Sequence, residues 1–148
     1  MATLWQAATR QQLLDRSRRL SPDARARWGR FSCPQMLAHV NDALRMALGE
    51  LPTVSKRLPL RYPPLKQLII CVLPFPKGAP TAPELLARVD TAVWAQELAA
   101  FEALLDRFAV VPENARRAEH PAFGRMSRRA WGVLGYRHVD HHFAQFGV

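Results

Sequence analysis

Three of the chain's five histidines fall within Tyr136-Arg137-His138-Val139-Asp140-His141-His142. His138 and His142 are four residues apart, so on an α-helix their imidazoles share one face at about 6 Å and can converge on a single metal ion. His39 lies in a separate stretch of helical periodicity, and a facing helix is where a helical bundle finds a third donor. Three neutral imidazoles leave coordination positions open. Such a site is of the catalytic kind, in which the ion lowers the pKa of a bound water or thiol and acts as a Lewis acid. The predicted cofactor is a divalent ion held by His39, His138 and His142. A histidine pair at this spacing also occurs as a plain polar patch, so the spacing leaves both readings open.

The neighbouring groups read as supports or as packing. His141 is turned partly away from the pair, as an outer support or a surface group. Asp140 is read as solvated or capping a nearby loop, and Asp42, one turn after His39, as a solvent-facing carboxylate. Cys33 starts a helix, where the dipole could lower its thiol pKa, but nothing else marks it as a nucleophile. Trp28, Trp94 and Trp131 are read as packing residues. No Ser-His-Asp motif, phosphate-cradling glycine loop or paired carboxylate is present, so triad hydrolysis, P-loop activity and glycosidase chemistry lack support.

The elements that must position the histidines are helical. Leu4, Ala7, Ala8, Leu13, Leu14 and Leu20 recur at near-helical spacing, predicting an amphipathic helix over residues 4–20. Ser21-Pro22-Asp23 predicts a further short turn of helix ending near Gly29. In Ser32-Cys33-Pro34-Gln35 the Ser hydroxyl and the Gln amide form a capping box, so a helix should run from Cys33 to Leu48 and end at Gly49. Eight of the 12 prolines sit at positions 52, 59, 63, 64, 74, 76, 80 and 83, which makes residues 50–83 a long connection. Its apolar run Leu65 to Leu73 fits a short buried helix or a strand by periodicity, and the helix is favoured because no strand partner is apparent. Thr81-Ala82-Pro83-Glu84 repeats the capping pattern ahead of a long helix over residues 91–108. His120-Pro121-Ala122-Phe123-Gly124 reads as an ordered loop, and Ser127 as the cap of a last helix over residues 128–146. The predicted fold is all-α: four main antiparallel helices with a long Pro-rich crossover between the second and third.

At 148 residues the chain fits one domain, residues 1–148. Hydrophobic residues are 49% and charged residues 22%, a globular composition rather than a disordered one. The longest apolar stretch, residues 68–76, is too short to cross a bilayer, and residues 1–12 lack the form of a secretory signal, so no membrane partner is expected. The two cysteines, Cys33 and Cys71, form no Cys-x-x-Cys pair and give material for neither a disulfide framework nor a thiolate zinc site, so a reducing cytoplasm is the simplest expected location. The formal charge of +9 raises nucleic acid as a partner, but Arg16, Arg18, Arg19, Arg25, Arg27, Arg30, Arg116, Arg117, Arg128 and Arg129 are dispersed, which argues against it. Homodimerisation is compatible with a bundle, though no heptad seam demands it.

Three segments together carry a resemblance. Trp28-Gly29-Arg30-Phe31-Ser32-Cys33-Pro34-Gln35-Met36-Leu37-Ala38-His39, His120-Pro121-Ala122-Phe123-Gly124, and Trp131-Gly132-x-Leu134-x-Tyr136-x-His138-x-x-His141-His142-x-x-Gln145-Phe146-Gly147 resemble the DinB-like superfamily. The branch concerned is one of short bacterial proteins ending in His-His-x-x-Gln-Phe-Gly, and Pro74-Phe75-Pro76-Lys77-Gly78 is similar to it as well. The resemblance implies a four-helix bundle of up-down-down-up type holding a divalent metal, most often nickel or zinc. Carried over position by position, the ligands are His39, His138 and His142. Relatives in the wider superfamily include transferases that use mycothiol or bacillithiol, with the metal activating the cofactor thiol as a thiolate. This chain has no recognisable thiol-cofactor motif, so a low-molecular-weight thiol and a small-molecule substrate are expectations drawn from the resemblance. Metal-assisted hydrolysis is the companion reading, and the alternative is a non-catalytic binding or stress-response module with a basic surface.

Overall fold

The structure is a computed structural model that describes residues 1–78, 81–86, 88–115, 117 and 119–148. The proline at position 80 and Arg116 of the dispersed basic set lie outside the described residues. Among the described residues regular structure is helical: α1 (Ala7–Ser17), α2 (Cys33–Leu48), α3 (Leu65–Cys71), α4 (Trp94–Val110) and α5 (Arg128–Gln145), with short 3-10 turns at Pro59–Arg61, Pro83–Leu85 and Val89–Thr91. Among the described residues no strand is formed, and the one isolated bridge joins His120 and Gly124. None of the helices is long and apolar enough to cross a membrane.

The best-bounded helices carry their own stop and start signals. Ser32 accepts from the Gln35 amide at 3.4 Å, and Gln35 Oε1 accepts from the Ser32 amide at 2.9 Å, so orphan N–H groups at the start of α2 are satisfied reciprocally. Gly49 ends α2 at φ 83°. Ser127 caps α5 by accepting from the Ala130 amide at 3.1 Å. The apolar run in the connection does form a helix, α3, but not a buried one: of α3 only Ile70 is buried, because the run lies on the outside of α5, where Arg137 Nη1 donates to Ile69 O at 2.9 Å and to Ile70 O at 2.5 Å, and Nη2 donates to Leu73 O just beyond the helix.

Two other cap patterns do not start the predicted helices. After Ser21 the chain turns without forming a helix; the Ser21 hydroxyl accepts from the Asp23 amide at 3.3 Å, and the Arg27 amide donates to Gln145 O at 2.8 Å, drawing the backbone onto α5. Thr81 caps nothing. Residues 83–85 and 89–91 form separate 3-10 turns, and α4 begins only at Trp94. Contacts to α2, described below, take up the polar groups of this segment and override its local preference.

α2 packs on both α4 and α5, α1 packs on the same two helices, and α3 leans on α5. Between them lies a core that includes Leu13, Met36, Leu37, Val40, Leu44, Phe101, Leu105, Phe108, Val139 and Phe143, all essentially inaccessible to solvent. Each such side chain contributes about 1.5–3 kcal/mol by its removal from water. A smaller cluster of Ile70, Phe123, Val133 and Leu134 ties α3 and the loop after His120 to α5. Trp131 is buried as expected, whereas Trp28 and Trp94 are half-buried at the edge. The consequence for chemistry is that the α2 face carrying His39 is pressed against the α5 face carrying His138 and His142.

Candidate metal centre

His39 from the middle of α2 meets His138 and His142 from the last two turns of α5, and one nitrogen of each lies within 4.8 Å of the others. His39 Nε2 is 3.0 Å from His138 Nε2, and His142 Nε2 is 3.2 Å from the same atom. Nitrogens bound at about 2.0–2.1 Å around a tetrahedral ion stand about 3.3–3.4 Å apart, so the observed spacing is close to that of a ligand set. His39 is buried, at 3% exposure, while His138 and His142 are half-buried.

The hydrogen-bond partners assign the tautomers. His39 Nδ1 faces the carbonyl oxygen of Leu85 at 3.3 Å, and His142 Nδ1 faces Gln145 Oε1 at 2.8 Å. Both oxygens can only accept, so each of these rings, when neutral, carries its N–H on Nδ1 and a lone pair on Nε2. His138 Nε2 can donate to at most one of the two lone pairs that face it. At least one close nitrogen pair is therefore lone pair against lone pair, a repulsion that a bound cation converts into coordination. The residues present fit a divalent ion.

Electrostatics keeps the rings in the form a metal needs. Burial pushes all three imidazoles below their ordinary value, His138 well below and His142 to about 3, with the neighbouring imidazoles adding to the effect on His138 and His142. Neutral imidazole is the ligand form, and protons do not compete for it near neutrality.

Two supports hold the rings in place. Gln145 is buried at 4% exposure; its Nε2 donates to Trp28 O at 2.5 Å while its Oε1 accepts from His142, so the segment before α2 orients a ring on α5. Gly29, next in the chain, has φ 82°, and a Cβ there would collide with the Gln145 amide. On the other side, the turn Pro83–Leu85 supplies the carbonyl for His39, and Arg88 fastens that turn: its Nε lies 3.0 and 3.3 Å from the Asp42 carboxylate oxygens, and Nη2 lies 3.0 Å from Glu97 Oε2. Asp42 also receives Arg45 at 2.8 Å, and Asn41 Nδ2 donates to Glu97 O and Oε2, both at 2.8 Å.

Several neighbouring groups differ from their sequence reading. Asp42 is not solvent-facing; it is buried at 3% exposure because Arg88, 46 residues away in sequence, and Arg45 neutralise it. Cys33 is fully buried, and burial pushes its thiol up to about 11, the opposite of an activated thiolate. Asp140 pairs with Arg16 at 2.6 Å. His141 is half-buried, its ring centroid 5.3 Å from that of His142 and flanked by Trp28 at 5.7 Å and Phe75 at 6.0 Å. An open cleft of about 330 Å³ runs beside it, lined in part by Trp28, Phe75, Lys77, Arg137 and Asp140; the three clustered imidazoles are not part of its wall. Leu85 and Arg88 had no site role in the sequence reading, and Gln145 entered it only as part of the terminal His-His-x-x-Gln-Phe-Gly segment. Only Gln145 carried a local signal, standing three residues after His142 on the same helix.

The helical fold and the imidazole cluster define an all-α protein with a group of three histidines that could hold a metal ion. The chain belongs to the family described as "Protein of unknown function (DUF1569)", whose profile matches residues 6–147. No curated protein and no solved structure matches the chain.

Proposed function

We propose that this chain is a four-helix-bundle metalloenzyme of DinB-like type in which His39, His138 and His142 hold one divalent ion, nickel or zinc, with a coordination position left open. The bundle reading rests on the ring of pairings in which α1 and α2 each pack on α4 and α5. The metal reading rests on one observation above the others: two of the three Nε2 atoms bear lone pairs fixed by Nδ1–H donors, and both point at the third within 3.2 Å. When bound, the ion supplies Lewis-acid activation of a water or of a low-molecular-weight thiol. The chain's own part is to present neutral imidazoles and to hold their orientation through Leu85 O and Gln145. The reaction class is thiol-dependent transfer or metal-assisted hydrolysis of a small molecule in the cytoplasm.

Elemental analysis of untagged protein purified without chelator, beside the His39→Ala, His138→Ala and His142→Ala variants, tests this reading. The expected result is about one equivalent of metal, lost in each variant. Protein that stays metal-free after reconstitution contradicts it, and leaves the +9 charge and a non-catalytic, acid-binding module as the account.

A further inference from the structure

The most unusual surface of the molecule lies away from the histidines. Of the 11 large apolar side chains exposed among the described residues, five lie within residues 62–73: Tyr62, Leu65, Leu68, Val72 and Leu73. Leu65 and Leu68, three apart, expose one face of α3, and Val72 at its C-cap follows at 66% exposure, while Ile70 on the other side is 2% exposed and packs inward. A contiguous apolar face of this kind on a soluble domain marks a contact surface.

The surrounding charge identifies the contact. Residues 51–83 hold no Asp or Glu but include Lys56, Arg57, Arg61, Lys66 and Lys77. Two carboxylates from outside the segment approach it, Glu119 meeting Arg61 at 3.2 Å and Glu84 lying in the field of Lys56, but neither Lys56 nor Arg57 forms a close ion pair among the described residues. The apolar feature is a helix face bearing aliphatic side chains, not a groove shaped to seat a peptide. Aliphatic residues directed outward, a tyrosine at their edge and cations around them are the pattern of a helix that lies in the plane of a bilayer interface. The cations complement anionic headgroups, and the apolar stripe enters the acyl boundary.

We propose that α3 and its basic flank dock this protein on an anionic membrane surface, lying on the bilayer without crossing it. This inference does not depend on the metal reading. It places the cluster of His39, His138 and His142 in a protein held at a lipid surface through α3, which leans on α5 from outside.

The test is flotation of the full chain with vesicles of phosphatidylglycerol mixed with phosphatidylcholine, against vesicles of phosphatidylcholine alone. The expected result is partition onto the mixed vesicles only, weakening as salt is added. A Leu68→Glu/Val72→Glu variant should cut that partition by about tenfold or more, and a Lys56→Glu/Arg57→Glu variant should weaken it with a smaller salt dependence. Both change exposed side chains, and unaltered helical circular dichroism confirms that they fold. Absence of partition overturns the proposal, as does partition that survives Leu68→Glu/Val72→Glu. Self-association of the wild type that this variant abolishes, without vesicle binding, also overturns it and assigns the face to a second copy of the chain.

Discussion

His120 and the cluster of His39, His138 and His142 are all at least half-buried imidazoles pushed down in pKa, yet their nitrogens are used in opposite ways. His120 Nδ1 accepts from the backbone amides of Ala122 at 3.1 Å and Phe123 at 3.2 Å. Its ring packs against Phe123 at 4.8 Å and Trp131 at 5.5 Å. It closes a loop. In the cluster the direction is reversed: His39 and His142 donate from Nδ1 and turn bare Nε2 atoms toward a common point. Burial and lowered basicity alone therefore do not separate a structural histidine from a ligand. What separates them is whether every lone pair has a protein donor.

The sharpest way to break the comparison is to exchange the consequences. His138→Ala should abolish metal binding while leaving stability in chelator within about 1 kcal/mol of wild type, because the ring it removes faces other lone pairs. His120→Ala should do the reverse: unfolding in urea should show a loss of about 3 kcal/mol, from two orphaned amides and a lost aromatic contact, with metal stoichiometry unchanged. Gln145→Leu removes the oxygen that orients His142 and should weaken metal affinity by about 10–100-fold, read by competition with a chelator. The remaining effect is on pH dependence. Burial, with Lys66 nearby, holds the His120 imidazole down at about 4, from an ordinary value of 6.5. Between those values the unfolded chain binds a proton that the folded chain refuses, so stability rises with pH across that window. In chelated protein, His120→Asn should flatten that rise by up to about 1.4 kcal/mol per pH unit at its steepest, measured as urea midpoints from pH 4 to 7.

Legibility in the sequence followed the range of the interactions. The bounds of α2 and the start of α5 were readable because Ser32, Gln35 and Ser127 act within three residues of themselves. The histidine pair on α5 was readable for the same reason, and His39 because its helix carries a strong apolar stripe. Ser21 and Thr81 carry the same local signal as Ser32, but their segments are committed elsewhere. The Arg27 amide goes to Gln145 O, the Leu85 carbonyl to His39 and the Arg88 guanidinium to Asp42 and Glu97. Asp42 was misread as solvated because its partner Arg88 is 46 residues away, and the link from Trp28 O to Gln145 spans 117 residues. No pattern local to Asp42 distinguishes a carboxylate that will be neutralised in the core from one that will face water.

The central claim is that the three Nε2 atoms form one metal site, and cobalt(II) titration followed by visible absorption tests it most directly, since the band intensity reports coordination as well as stoichiometry. The account predicts one equivalent of cobalt bound with a low-coordinate spectrum by the wild type and by His120→Ala, and none by His39→Ala, His138→Ala or His142→Ala. A wild type that takes up no cobalt, or a His138→Ala variant that binds it with the same spectrum, would contradict the claim.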